Sequence, residues 1–501
     1  MVAGSVAGIR MVMAYRGAWF EGGRGYPFTW HSWCDFADLD DRRYGYAWTA
    51  LAADIAFWLA PIACLGFTTE RMVRCRSSCK AVLRCARILA SQLFVLQFSL
   101  LLAHPCPMSS GSVQSLYIHV PFCAHKCEYC AFFSEASSGA LMTRYTNALV
   151  RELEIVAPEL RPRTIFFGGG TPSILNLTQW QTILDALRRL DLLGADEWTI
   201  ECNPATVSPD KARLWREHGV NRISMGVQSL DEKLLDRLGR IHSRDMVFRS
   251  LDILRAAGFD NINLDLMFAI PGQTMDIWRA TLDETIALGP EHLSCYEVIY
   301  EEDTPLYEQL QAGQFEVDEA LACAMYDHLI DRAAVAGFAQ YEVANFARDD
   351  GAAHLQSTPS DLRSRPPSRA CRHNLNYWNA GACHALGPSA AGYVGGVRTR
   401  NWANTQLYCE QLERGRRAIE FSEELSPLRR AGEAAAFGLR MNLGWTFDSF
   451  QSRTGYDLRT EWQAEMTELV ARGWAEREED RFHLNRTGLR FADSAAELFL
   501  R

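Results

Sequence analysis

The chain has 501 residues, 48% of them hydrophobic and 22% charged, and a formal net charge of −10. That size and apolar content support two or three domains built on real cores, and the acidic balance argues against a general nucleic-acid or anionic-membrane binder. Its 15 cysteines are unevenly placed and do not space like a secreted disulfide scaffold, which points to a reducing, cytoplasmic setting.

Residues 1–107 differ in character from the rest. They hold six cysteines and eleven Lys/Arg against seven Asp/Glu. Two apolar runs stand out, 48–67 and 88–103. Asp54 and Pro61 interrupt the first, and the second is short for a bilayer span. Both lie too far from the N-terminus for a secretory signal. Met108 opens a stretch that leads directly into a strand. The expectation is therefore an extension ahead of a domain starting at Met108, through a wrongly assigned start; association with a membrane surface or an organellar role are the alternatives.

From Leu116 onward short β-branched or aromatic runs alternate with helical periodicity. Candidate strands are 115–120, 163–169, 197–203, 221–229, 261–268 and 292–300, each bounded by turn residues. Amphipathic stretches fall between them, among them 144–156, 177–190 and 245–258. Six strand–helix units predict an α/β fold, a partial (β/α)6 barrel with right-handed crossovers. Its chemistry belongs at the C-terminal ends of the strands. The core is expected over 108–303, with a helical extension over 304–346. The polar, Pro- and Ser-rich segment 347–370 reads as a flexible insertion. Residues 371–501 then carry an aromatic-rich segment and a smaller helical or mixed C-terminal domain.

The loop after the first strand reads "CAHKCEYCAFF". Cys123, Cys127 and Cys130 are metal-ligand candidates, because thiolates bind zinc or iron–sulfur clusters. Structural zinc takes four ligands, and no fourth Cys or His sits at a conventional spacing, although His119 and His125 are near. A cubane held by three cysteines leaves one iron open to an outside molecule. Polar residues recur at later strand ends: "GGGTP" at 168–172, Glu201, Gln228 and Asp265. Glycines let a ligand approach the backbone. Buried carboxylates and amides need partners, whether from the barrel itself or from a ligand.

This C-x3-C-x2-C arrangement resembles that of radical SAM enzymes. The resemblance implies a 4Fe-4S cluster on Cys123, Cys127 and Cys130. Its open iron would bind S-adenosylmethionine, whose sulfonium is cleaved by an electron from the cluster. By position in the motifs, Tyr117, Tyr129, Gly169, Gly170, Thr171, Glu201, Gln228, Arg240 and Asp265 would contact the cofactor. From Leu116 to the C-terminus, apart from the insertion, the chain is similar to the oxygen-independent coproporphyrinogen dehydrogenase (HemN)-like branch.

Two members of that branch compete. The dehydrogenase subgroup carries a fourth cysteine two residues after the third, where this chain has Phe132. The HemW-like haem-chaperone subgroup lacks it and carries H-N-x-x-Y-W, which "HNLNYW" at 373–378 matches. The resemblance implies haem, apo-acceptor proteins of respiratory type and an electron donor as partners, with a homodimer left open. It also implies S-adenosylmethionine cleavage without coproporphyrinogen dehydrogenase activity. His373 is the haem-ligand candidate, since imidazole is a common haem ligand. The alternatives are porphyrinogen decarboxylation, a radical reaction on another substrate, and a purely structural HNLNYW segment capping the barrel mouth.

Overall fold

The computed structural model describes residues 112–136, 138–349 and 365–501. The 1–107 extension, with its apolar runs, and residues 350–364 of the expected insertion lie outside these residues. Among the described residues no helix is long and apolar enough to cross a membrane.

The six expected strands are all present: β1 (Val113–Val120), β2 (Leu160–Gly169), β3 (Glu197–Cys202), β4 (Arg222–Gln228), β5 (Ile262–Phe268) and β6 (His292–Glu297). Each pairs in parallel with the next. Helices α1 (Gly139–Val156), α2 (Leu177–Arg189), α3 (Pro209–Glu217), α4 (Arg244–Ala256) and α5 (Met275–Ala287) form the crossovers. Their starts follow from local chemistry. The Asn176 side chain and Gln179 make a reciprocal capping box on α2, and Ser138, Ser208 and Thr274 cap α1, α3 and α5. Gly258, at φ +88°, ends the α4 region, as its position predicted.

Strand alternation sorts the barrel into two environments. Ile165, Phe167, Trp198, Ile200, Ile223, Met225, Leu264 and Leu266 belong to the main apolar core. There Phe167 packs on Trp180 at 5.1 Å between ring centroids. The intervening residues Thr164, Thr199, Arg222, Ser224, Asn263, Asp265, His292 and Ser294 are buried and polar. They line the lumen and bond across it: His292 Nδ1 lies 2.6 Å from Asn263 Oδ1, and Asn263 Nδ2 donates to Ser224 Oγ at 2.8 Å.

The sheet is wider than six strands. Phe338–Glu342 (β7) and Asn345–Arg348 (β8) form an antiparallel hairpin beside β6. His384–Leu386 (β9) adds a parallel strand on the other side of β1. The order is β9-β1-β2-β3-β4-β5-β6-β8-β7. The segment expected to be helical to about residue 340 is helical over Pro305–Gln311 and Glu319–Val335 (α6) and then turns into β7. The flanks of the expected insertion are ordered: Arg348 ends β8, and Arg369 N–H donates to the Arg348 carbonyl at 3.2 Å.

The C-terminal domain has its own core of Trp445, Phe450, Trp462, Phe482 and Phe499. Trp445 and Trp462 indoles donate to the Ala434 and Phe499 carbonyls at 2.9 and 3.0 Å. It meets the barrel where Val343 N–H donates to the Arg440 carbonyl at 3.1 Å and where the Arg440 guanidinium stacks over Trp378.

Candidate metal and cofactor site

The three cysteines sit in the loop after β1, at the C-terminal end of the parallel strands, as the fold class predicts. Four contacts fix this loop from both sides. Glu128 N–H donates to the Leu238 carbonyl, and the Glu128 carbonyl accepts from Leu306 N–H at 2.9 Å. Glu135 N–H donates to the Pro121 carbonyl at 2.7 Å. His119 Nε2 donates to the Phe133 carbonyl at 2.9 Å, while its Nδ1 accepts from Tyr117 Oη at 3.1 Å.

The thiols face one pocket, and Cys123 Sγ lies 3.5 Å from Thr171 Oγ1. Three thiols on one pocket are a donor set that fits an iron–sulfur cluster. Burial pushes the Cys130 thiol up to about 12 and also raises Cys123, so a bound metal must supply the drive for deprotonation.

Across the pocket the Gly168–Gly170 turn closes β2. Gly169 sits at φ +105°, and a Cβ there would fall 2.5 Å from the His119 ring. A Cβ on Gly170 would fall 2.6 Å from the Phe122 carbonyl. Only glycine lets this turn lie against the cysteine loop. Glu201 Oε2 accepts from Gly169 N–H at 3.2 Å.

A bulge at the end of β4 re-aims Gln228, whose backbone lies at φ 66°. A non-glycine residue in that region is uncommon, and such strain concentrates at functional sites. Bare Gly226 makes the room: its Cβ would meet Gln228 Nε2 at 3.1 Å and Arg240 Nη2 at 3.3 Å. Arg240 Nη2 donates to the Gly226 carbonyl at 2.7 Å, and its Nη1 donates to Cys127 Sγ at 3.5 Å. Asp265 forms part of the floor. Asn263 Nδ2 donates to its Oδ1 at 2.6 Å, but Oδ2 has no partner among the described residues. Burial, with Glu201 nearby, lifts this carboxyl to about 7.

Of the residues expected to contact cofactor, Tyr129, Gly169, Gly170, Thr171, Glu201, Gln228, Arg240 and Asp265 all line this pocket. Tyr117 and His373 do not. Tyr117 is 4% exposed and packs on Phe166 inside the lumen, where its hydroxyl orients His119. His373 belongs to helix α7 (Arg372–Trp378), which does not cap the barrel mouth but closes the lumen from the strands' N-terminal side. Glu197, the first residue of β3, accepts from the Arg372 and His373 N–H groups at 2.9 and 3.0 Å. His373 Nδ1 donates to Thr164 Oγ1 at 2.9 Å, and its ring stacks on Phe166 at 5.1 Å. Thr164 precedes Gly169 by five residues of β2, about 16 Å of strand. The imidazole is 0% exposed, and burial, with Arg222 nearby, pushes its pKa down to about 3. A haem has no access to it in this arrangement.

Sequence reasoning weighed His125 only as a possible zinc ligand and gave no role to Lys126, Ser224, Ile241, Met267, Tyr296 and Ile299, which also line the pocket. The every-second-residue alternation of Asn263, Asp265 and Met267 could have placed Met267 on the inner face.

The profile of the Radical SAM superfamily matches residues 117–285, and that of the HemN C-terminal domain matches 425–491. The "Heme chaperone HemW" of Lactococcus lactis is 30% identical over 388 residues, 77% of this chain and 97% of that protein. This chain belongs to the HemW family. The Bacillus subtilis member is 31% identical over 394 residues, 77% of this chain and 99% of its own length. The Escherichia coli member is 36% identical over 285 residues, 56% and 70% of the two chains. The solved structure of E. coli coproporphyrinogen III oxidase (HemN), a radical SAM enzyme, superposes with a TM-score of 0.67 over 79% of this chain and 92% of that one. At 21% identity it shares the fold with the HemW family.

Proposed function

We propose that this HemW-family protein is a haem chaperone: it holds a 4Fe-4S cluster with S-adenosylmethionine at the barrel mouth, binds haem, and delivers it to an acceptor protein. The observation that carries the reading is Phe132. It lines the pocket at the position where the dehydrogenase subgroup has its fourth cysteine. Family membership over nearly the full length of relatives named as haem chaperones supports it.

Cys123, Cys127 and Cys130 would hold the cluster, with the fourth iron left to S-adenosylmethionine. When bound, the cluster supplies one electron at low potential. The chain's own residues do the positioning. The Gly168–Gly170 turn offers backbone polar groups to the amino-acid end of the cofactor. Glu201 and Gln228 stand beside it, and Asp265 offers a free carboxyl oxygen from the floor. Arg240 donates to the Cys127 sulfur. An external donor would reduce the cluster, and a respiratory apo-protein would accept the haem, with a homodimer an open arrangement.

The reading places the protein in the cytoplasm, peripheral to the membrane where acceptors reside. Free thiols at all nine described cysteines suit that compartment. Anaerobic reconstitution followed by haem titration and a coproporphyrinogen assay tests the proposal. Haem binding without decarboxylation is expected; decarboxylation without haem binding would replace the chaperone with a porphyrin-synthesis enzyme.

A further inference from the structure

With His373 sealed at the far end of the lumen, haem needs another seat. We infer that the mouth of the cluster pocket is that seat, with His125 as axial ligand to the iron and Ile241 and Ile299 against the porphyrin ring. The inference rests on the haem-handling reading and locates it.

Three observations converge on this mouth. His125 is exposed on the cluster loop and is the one imidazole among the described residues lining the pocket. The sulfur ligands there are committed or enclosed: Cys123, Cys127 and Cys130 belong to the cluster, and Cys202 and Met267 are 4% and 6% exposed. Ile241 and Ile299 line the same pocket and are 46% and 48% exposed, among the few large aliphatic side chains left in water. Ile241 comes from the loop before α4 and Ile299 from the chain after β6. Two separate segments thus present aliphatic surface to one opening. Half-buried Phe132 adds a ring to the lining.

Charge sets an orientation. Glu297 and Glu301 also line the opening and repel propionates, whereas Lys126 is exposed beside His125. A flat apolar ring with a ligand-seeking iron and two carboxylates fits this combination: imidazole for the metal, aliphatic side chains for the ring, and one cation for a propionate. A peptide partner would use the aliphatic pair but has no need of the imidazole, so the His125 arm below separates the two.

The test is haem titration of the reconstituted, S-adenosylmethionine-loaded protein, with iron and sulfide content checked in every variant. His125→Ala should shift the Soret band and weaken haem binding about tenfold or more. Ile241→Asp/Ile299→Asp should weaken it comparably while leaving the cluster absorbance intact. Because that pair lies outside the cysteine loop, it decides the matter even if His125→Ala loses the cluster. Wild-type affinity and an unmoved Soret band in the double variant would overturn the seat while leaving the chaperone reading in place. A weakened double variant together with an unaltered, cluster-loaded His125→Ala would overturn the axial assignment. No Soret band in the wild-type protein would instead overturn the haem-handling reading itself.

Discussion

Arg240 Nη1 lies 3.5 Å from Cys127 Sγ, held there by a second bond from Nη2 to the Gly226 carbonyl. Hydrogen bonds and positive charge at a cluster sulfur favour its reduced state. Arg240→Gln should therefore lower the reduction potential of the reconstituted cluster, with Arg240→Lys in between. A redox titration followed by EPR measures this, and a potential unmoved in Arg240→Gln would contradict it. Cys127→Ala should abolish the iron–sulfur absorbance altogether.

The glycine turn makes a steric prediction. Gly169→Ala adds a Cβ at φ +105° against the His119 ring, so the turn or the cysteine loop must shift. Destabilisation of about 1–3 kcal/mol is expected from strain of this kind. Urea unfolding measures it, alongside weakened S-adenosylmethionine binding. Gly194→Ala is the control: it is also at positive φ (+88°) but has open space around its Cβ position. It should cost stability without touching cofactor affinity.

Asp265 gives the cofactor-free protein a pH dependence of known sign. Burial raises its carboxyl to about 7 from the ordinary aspartate value of 3.8. The unfolded chain releases this proton first, so the stability tied to neutral Asp265 is complete below about pH 4. It is then lost as pH rises through about 7, by roughly 4 kcal/mol in all. Asp265→Asn removes this slope, and urea midpoints measured between pH 5 and 8 read it. A midpoint profile that kept its slope in the variant would assign the pH dependence elsewhere.

Glu197 anchors the helix that seals the lumen. It accepts from the N–H groups of Arg372 and His373 in a buried setting that also holds Arg222. Glu197→Ala strands two donors and leaves a buried cation short of an anion. A loss of about 3 kcal/mol is expected. Glu197→Gln keeps an acceptor oxygen and should lose less. Equal losses in the two variants would mean that the hydrogen bonds to α7 contribute nothing.

The barrel was legible because its signals are local. Each strand run ends in turn residues, and each crossover helix carries its own periodicity, so β1 to β6 appear within a few residues of the expected bounds. The pocket was legible for the same reason: cysteines and polar residues at strand C-termini must share one end of a parallel sheet. Three things were not legible. Strand β9 is only His384–Leu386, three residues in a small-residue stretch, and its partner β1 lies some 270 residues earlier. The β7–β8 hairpin follows a long helix without a periodic break. The end of the barrel that α7 occupies was hidden as well. The HNLNYW residues announce aromatic and polar content, but whether they meet the cluster or the opposite end depends on Glu197 reaching their N–H groups. That contact joins residues 175 and 176 positions apart in the chain.

The most direct measurement of the central claim is haem transfer. Protein carrying its cluster, S-adenosylmethionine and one haem is mixed anaerobically with an apo-haem acceptor, and the two are separated and scanned. The account predicts that the Soret absorbance appears with the acceptor, and that coproporphyrinogen supplied in parallel stays unconverted. Haem retained by this protein, with coproporphyrinogen decarboxylated, would contradict it.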